Sequence, residues 1–228
     1  MHYRLRENLS CCDVDGHMIF LDIAQDRYFR LTDPLEKAMR HFRAHDDIPC
    51  SLLDRLATAR ILVETSDLET NWAIANIQRP SCSAIEQTFA IEHRRLSAAV
   101  TFEVMMIVIS IRHQLKSCTF KTILDRASAY RSRRIEARKI AMPAPFRHSL
   151  LLASRQFARA RRYVPIEPVC ILDSLSLLRF LSRRRLPANI VFGVTPEPFA
   201  AHCWVQTDDM VLNETLSDAH AHTPIRVI

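Results

Sequence analysis

The first third of the chain carries short stretches in which apolar and polar residues alternate, which is the pattern of half-buried β-strands. Asp15-Gly16 is a hairpin-turn signal, and residues 24–26 give a second turn. Three short strands are therefore predicted, at residues 3–9, 18–23 and 27–31.

Helical signals follow these strands. Thr32-Asp33-Pro34 predicts a helix start with Asp33 as N-cap and Pro34 in the first turn. Ser51 is the predicted cap of a second helix, and residues 61–63 form a short closing strand or a helix end. Residues 1–65 are thus predicted to be one small winged-helix-like domain of three strands plus helices.

The rest of the chain changes from helical to strand periodicity. Residues 84–163 are mainly helical in pattern. After Pro165 and Pro168, four leucines recur at steps of three, which predicts a helix that begins at or near Cys170. The leucines are Leu172, Leu175, Leu178 and Leu181. Three strands are predicted after them, at residues 189–194, 202–207 and 210–212, with a turn at Pro196 and Pro198. The predicted fold class is α+β.

Composition narrows the class of protein. Two glycines exclude the Gly-rich loops that bind phosphates. The longest apolar stretch, residues 96–111, is interrupted by Glu103, so no membrane association is predicted. Seven cysteines without a repeated CxxC favour reduced thiols and a cytoplasmic protein over a disulfide framework.

Charge predicts a boundary between two domains. Residues 1–65 contain 9 Lys+Arg and 11 Asp+Glu, whereas the remainder is strongly basic. The predicted linker is 66–83, and the predicted second domain is 84–228. Within that domain, residues 120–162 hold 12 Lys+Arg against Asp125 and Glu136. Such an excess is either a solvated helix face or a surface that attracts an acidic partner.

Cys170 and His202 are the residues most suited to chemistry. A helix N-terminus lowers the pKa of a thiol through its partial positive charge and free amides. His202 lies on a later predicted strand, from which an imidazole can reach the sulfur of a cysteine.

Simpler interpretations stand beside this one. A cysteine in an apolar helix is more often a buried small hydrophobe than a nucleophile. Trp204, on the same strand face as His202, and Cys203, on the opposite face, are both consistent with core packing. His220 and His222 are predicted to lie in a solvated tail, so no metal site is predicted.

One segment resembles a known family. VFGVTPEPFAAHCWVQTDDMVLNE, at residues 191–214 behind the Cys170 helix, resembles the B proteins of lasso-peptide biosynthesis. These are leader peptidases of the transglutaminase-like cysteine-protease superfamily. Their pattern is a Cys at a helix start, Gly-Val, a His-x-Trp-Val strand and Asn-Asp on the next strand.

By position, the resemblance implies that Cys170 is the nucleophile, His202 the general base and Glu214 the orienting carboxylate. It also implies a papain/transglutaminase-like core with the histidine and the carboxylate on adjacent strands. Glu214 stands where the family usually has Asp, and Asp208 and Asp209 compete for the third role.

The resemblance implies an enzyme that binds the leader of a ribosomally made precursor peptide and cuts it from the core. It implies no metal or organic cofactor, and it implies a partner, an asparagine-synthetase-like cyclase that closes a macrolactam with ATP. FLDIAQDRYFRLT, at residues 20–32, resembles the leader-recognition element of such proteins. The edge of its third strand is expected to pair with the leader through Arg27, Tyr28, Phe29, Arg30 and Leu31.

Two other classes of function stay open. The first is a binding adaptor for peptide or DNA that performs no chemistry. The acidic N-terminal block argues against nucleic acid as the partner, because neutralisation of phosphates by Lys and Arg supplies most of the affinity for nucleic acid. The second is transglutaminase-type acyl transfer, since the same Cys–His–carboxylate set can pass an acyl group to an amine.

Overall fold

The computed structural model describes residues 2–44, 46, 48–66, 77–87, 97–135 and 145–228. The chain begins with β1 and then forms a three-stranded antiparallel sheet in the order β2-β3-β4, called the N-terminal sheet below. These strands are β1 (His2–Leu5), β2 (Leu9–Val14), β3 (His17–Asp22) and β4 (Arg27–Arg30).

The turns of this sheet follow from local chemistry. Asp15 and Gly16 have φ values of 48 and 81°, the left-handed pair that a two-residue hairpin turn requires. In the next turn, Asp22 accepts hydrogen bonds from the backbone amides of Ala24 and Gln25 at 3.0 and 3.2 Å. Both turns were predicted, and both are confirmed.

The predicted single strand at residues 3–9 is wrong. β1 ends at Leu5, and a separate strand, β2, starts at Leu9. The residues from Leu9 to Cys12 are all buried, so the apolar–polar alternation that identifies a half-exposed strand is missing there. The strand was overlooked because both of its faces are covered.

Two helices and a closing strand complete the N-terminal unit. The Glu36 amide donates to the Thr32 carbonyl at 2.8 Å, so Asp33 lies in the first turn rather than at the predicted N-cap. Ser51 likewise lies inside its helix, whose N-cap is Pro49. The last strand pairs antiparallel with β1, which confirms the closing strand. These elements are α1 (Asp33–Ala44), α2 (Cys50–Thr58) and β5 (Leu62–Thr65). The winged-helix-like character of the unit stays a prediction.

The N-terminal sheet is buried on both faces. On one face its side chains pack with α1 and α2 in a core of their own, which includes Met18, Phe20, Met39 and Leu56. On the other face they join the core of the rest of the chain; these residues are Cys12, Val14, Ile19, Leu21 and Ile23. The sheet therefore contributes to two hydrophobic cores.

The second half of the chain carries a five-stranded sheet, called the C-terminal sheet, in the order β10-β7-β8-β9-β6. The strands predicted at residues 189–194, 202–207 and 210–212 are confirmed, as is helical structure between residues 84 and 163 where the chain is described. The elements are β6 (Cys82–Ser83), α3 (Ala98–Ser117), α4 (Phe120–Ile135), α5 (Pro145–Arg161), α6 (Cys170–Arg183), β7 (Asn189–Pro196), β8 (Phe199–Thr207), β9 (Met210–Val211), α7 (Leu216–Ala221) and β10 (Thr223–Val227).

Two predictions about segments need correction. The predicted solvated tail with His220 and His222 is wrong, because α7 and β10 form there and β10 adds to the sheet beside β7. Cys82 and Ser83, at the end of the predicted linker, form β6 and pair with β9. Residues 67–76 of that linker lie outside the described residues, and the domain boundaries stay a prediction.

α6 covers one face of the C-terminal sheet, where Cys203 and Val205 point into the main core. The opposite face carries a smaller cluster in which Trp204 packs with Val191, Val211 and Ala219 of α7. The sheet is thus closed on both sides within the second half of the chain.

Within the described ranges, α3 is the helix whose length and hydropathy would also suit a membrane span. Four of its side chains are buried, and it packs against α5 and α6. Its Glu103 accepts a charged hydrogen bond from Arg184 at 2.7 Å. Phe102, Met106 and Ile109 of the same helix are exposed.

Candidate active site

Cys170 is the first residue of α6. Val169 before it is extended, and the Asp173 amide makes the first intrahelical bond, to the Val169 carbonyl at 2.9 Å. The amides of the first turn therefore have no intrahelical acceptor, and they point toward the region of the thiol. Arg161 holds this end of the helix, since its Nε donates to Asp173 at 2.7 Å.

His202 lies on β8 and faces a carboxylate. Its Nε2 and the Oε2 of Glu214 are 2.9 Å apart, and Glu214 Oε1 accepts from the Thr215 amide at 3.1 Å. About a quarter of each of the two side chains is exposed. Because Nε2 is occupied by the carboxylate, Nδ1 is the nitrogen left to serve the thiol.

Cys170 and His202 change each other's proton affinity. Hydrogen bonding with the Cys203 thiol and then with His202 lowers the pKa of Cys170 to about 4, although burial opposes this. The pKa of His202 is raised, first by Cys170 and also by Glu214, again against burial. Both shifts favour a thiolate beside an imidazolium.

The two aspartates that compete with Glu214 are placed elsewhere. Asp208 is exposed at the tip of the β8–β9 hairpin, where its φ is 43°. Asp209 bonds to Ser81 and pairs with Arg147 at 2.9 Å, and these contacts lower its pKa. Of the three carboxylates, Glu214 is the one that meets His202.

A hydrogen-bonded chain joins α6 to the strands. Asn213 accepts from the Val205 amide at 2.7 Å and donates from Nδ2 to the Ser174 hydroxyl at 3.0 Å. Ser174 in turn donates to the Cys203 carbonyl at 3.2 Å, and Ser174 is fully buried. Sequence reasoning missed Ser174, although a serine one turn after Cys170 on an apolar helix face was a usable signal.

Gly193 lies directly across the β7–β8 ladder from His202. A Cβ at this position would approach Trp204 to 2.7 Å and the Cβ of His222 to 2.9 Å, so no larger residue fits. The ring of His222 is 5.3 Å from that of His202. No pattern in the sequence indicates that His222 borders the site.

The five predicted leader-binding residues lie on β4 or directly after it. In the described residues, β4 pairs with β3 alone, so its other edge is open. Arg27 and Arg30 are exposed, and Leu31 packs against the N-terminal core. Four of the five are separate from the Cys170 site; Tyr28 is the exception.

Several arginines of the basic 120–162 region bind groups of the protein itself. Arg147 and Arg161 form ion pairs with Asp209 and Asp173. Arg131 and Arg155 donate to the backbone carbonyls of Ala188 and Ala84, at 3.2 and 3.4 Å. Part of the positive charge is therefore structural, and attraction of an acidic partner remains a prediction for the rest.

Within the described parts of the chain, no cluster of three His, Cys, Asp or Glu side chains could hold a metal ion. A cavity of about 400 Å³ lies between α3, α4 and α6, where Leu175, Leu178 and Tyr130 line it. It does not include Cys170 or His202, so it is separate from the site described above.

Comparison with known proteins identifies the family of the chain. The model of the transglutaminase-like superfamily matches residues 111–227, just over half of the chain, and the three residues of the site all fall within that range. The chain therefore belongs to the transglutaminase-like superfamily.

One protein is similar to the chain over a shorter stretch. Over 45 residues the chain is 38% identical to the microcin J25-processing protein McjB of Escherichia coli. The match covers 20% of this chain and 22% of the relative, about a fifth of each. It supports the resemblance to lasso-peptide B proteins. No solved structure matches the chain.

Proposed function

We propose that the protein is a cysteine peptidase that cuts the leader from a ribosomally made lasso-peptide precursor. The observation that carries the proposal is that His202 interacts with both Cys170 and Glu214. It helps to lower the pKa of the Cys170 thiol, and its Nε2 lies 2.9 Å from the Glu214 carboxylate. Nucleophilic catalysis by cysteine requires such a series of thiol, imidazole and carboxylate.

The chemistry follows from the protonation states. The Cys170 thiolate attacks the scissile carbonyl, and amides of the first turn of α6 stabilise the oxyanion. The His202 imidazolium gives its proton to the leaving amine, and the neutral imidazole then activates water that releases the thioester. Glu214 fixes the ring orientation throughout.

Substrate recruitment is assigned to the N-terminal sheet. A flexible leader gains affinity by pairing with an open strand edge, and β4 offers one along Arg27, Tyr28, Phe29, Arg30 and Leu31. The freed core peptide would pass to an asparagine-synthetase-like cyclase for macrolactam closure. The likeness to a microcin J25-processing protein supports this pathway.

The nucleophile is tested by substitution. The substrate is a lasso-peptide precursor, to be sought as a short reading frame near the gene. Cys170→Ala should lose cleavage by roughly four to six orders of magnitude, since the attacking atom is removed, while leader binding and folding stay normal. Cys50→Ala and Cys118→Ala are matched controls because neither thiol contacts the site, and both should keep full turnover. Cleavage by the Cys170 variant would refute the proposal.

Acyl transfer to an amine is a second candidate, which membership of the transglutaminase-like superfamily favours. Both reactions share the same thioester. The same assay with added lysine ester distinguishes them: a peptidase gives the free carboxylate as main product, whereas a transferase gives the amide.

A further inference from the structure

Strand β4 faces two different cores. Neighbouring residues of a strand point to opposite faces. Phe29 points into the N-terminal core and stacks on Phe20 with ring centroids 5.3 Å apart. Tyr28 points the other way and packs against the main core, to which Cys203 belongs and against which Cys170 also packs.

Tyr28 meets β8 close to the nucleophile. Its ring contacts that of Phe199, with centroids 5.7 Å apart and planes tilted by 60°. Phe199 begins β8, three residues before His202, and 54% of its surface is exposed. Tyr28 and Phe199 therefore form an aromatic pair that connects the N-terminal sheet to the strand carrying the histidine.

This contact belongs to a wider interface between the two sheets. His17 Nε2 lies 4.0 Å from a carboxylate oxygen of Glu197, in the turn before β8. Arg226 on β10 donates to the Ser10 hydroxyl at 3.3 Å. Contacts between the N-terminal sheet and the C-terminal sheet are therefore not limited to the Tyr28–Phe199 pair.

The phenol of Tyr28 stays neutral at working pH. Burial raises its pKa, and the nearby Cys203 and Cys170 sulfurs raise it further. The ring is therefore an uncharged, largely apolar surface near the thiolate, with one hydroxyl that can donate a hydrogen bond.

We propose that Tyr28 and Phe199 form one wall of the peptide-binding cleft at Cys170, which holds an apolar side chain of the substrate residue next to the scissile carbonyl. The inference rests on the proposed function and deepens it. Exposed aromatic surface of this kind suits an apolar group, because burying apolar surface away from water is favourable. A leader paired with β4 would arrive beside this wall.

The test uses covalent probes on the full-length protein, because the natural scissile bond need not be known. Two peptidyl acyloxymethyl ketones carry Phe or Gly next to the reactive carbonyl, and mass spectrometry follows alkylation at Cys170. Wild-type protein should react at least about tenfold faster with the Phe probe. Phe199→Ala and Tyr28→Ala should bring the two rates to within about threefold, whereas Tyr28→Phe keeps the wall and the preference.

Iodoacetamide and a surface variant supply the controls. Iodoacetamide reports the thiolate alone, so its rate at Cys170 should change by less than about threefold in every variant. Phe102→Ala removes a ring on α3 that is 61% exposed. The next residue, Glu103, pairs with Arg184, which follows the end of α6 opposite to Cys170. This variant should keep the preference for the Phe probe.

The outcomes separate the two claims. A wild-type protein without a preference, or a preference unchanged in Phe199→Ala, overturns the wall. If thermal melting shows that Tyr28→Ala is unfolded, the exposed Phe199 decides alone. Failure of iodoacetamide to alkylate wild-type Cys170 at neutral pH would instead overturn the proposed function.

Discussion

The C-terminal sheet is covered on both faces by helices of the second half of the chain, α6 on one side and α7 on the other. The N-terminal sheet has its own helices on one face only, and its second face joins the core of the C-terminal unit. The proposed catalytic residues thus come from one contiguous segment, although the N-terminal sheet contributes side chains to the core of that segment. The proposed recognition strand depends on both units.

The difference concerns what each unit can do alone. Cys170 lies on α6 and His202 on β8, whereas Glu214 lies in the bend between β9 and α7 and not on a strand as the resemblance implied. Hydrogen bonds from Asn213 to Ser174 and from Ser174 to Cys203 tie these elements together. β4, by contrast, has Phe29 in one core and Tyr28 in the other. Changes in the first region should affect chemistry without binding, and changes in the second should affect binding first.

The largest expected effect in this comparison is that of Glu214→Gln. Loss of the charge disturbs the orientation of His202 but removes neither reacting atom, so cleavage should fall by roughly one to four orders of magnitude. Leader affinity, measured by titration with labelled leader, should not change. Asp209→Asn is the matched control and should keep near-normal turnover, because Asp209 pairs with Arg147. The reverse result would move the third role to the hairpin tip.

The pH dependence of cleavage sharpens the same contrast. The rate should rise as pH increases through about 4, where Cys170 becomes a thiolate, and fall above the raised pKa of His202, where the imidazolium is lost. Cys203→Ala removes the main cause of the low thiol pKa, so the acid limb should move to higher pH. Glu214→Gln should move the alkaline limb to lower pH, because the carboxylate raises the pKa of His202.

Tyr28→Phe should leave both limbs in place. A profile of that variant displaced by a full pH unit would show that the N-terminal sheet takes part in the proton chemistry. Such a result would contradict the division between the two regions.

The smallest expected effect concerns the edge of β4. Neighbouring backbone N–H groups point to opposite edges of a strand, so one of Phe29 and Arg30 offers its N–H to the open edge. Proline there removes one ladder bond and should weaken leader binding about tenfold, while iodoacetamide still alkylates Cys170 at the wild-type rate. Proline at the other residue should instead lower the melting temperature. Unchanged leader affinity in both variants would place recognition elsewhere.

Cys170 and His202, the first two residues of the proposed site, were predicted because each has a local signal in the sequence. A cysteine after prolines and before a leucine stripe marks a helix start, and a histidine on an alternating segment marks a strand. The resemblance to a family then supplied Glu214. The position of Ser174 one turn after Cys170 was a usable signal, but its bond to Cys203 and the contact of His222 with His202 depend on the fold, and no local pattern predicts those contacts.

The N-terminal unit was less predictable for a physical reason. β2 is buried from Leu9 to Cys12, so it has no polar face to produce alternation. The position of Tyr28 near Cys170 could not be predicted either, because periodicity shows which residues share a face but not which unit covers it. Charge balance suggested a boundary between the two units and gave no sign of their common core.

The doubly buried N-terminal sheet matters for anyone who would build chimeric enzymes from such proteins. Replacing residues 1–65 with the corresponding segment of a relative would transplant half of an interface whose other half, around Glu197, Phe199 and Arg226, stays behind. A graft that respects only the linear boundary would leave mismatched surfaces against β8 and β10. Specificity for a new leader therefore has to be engineered on both sides of this interface at once.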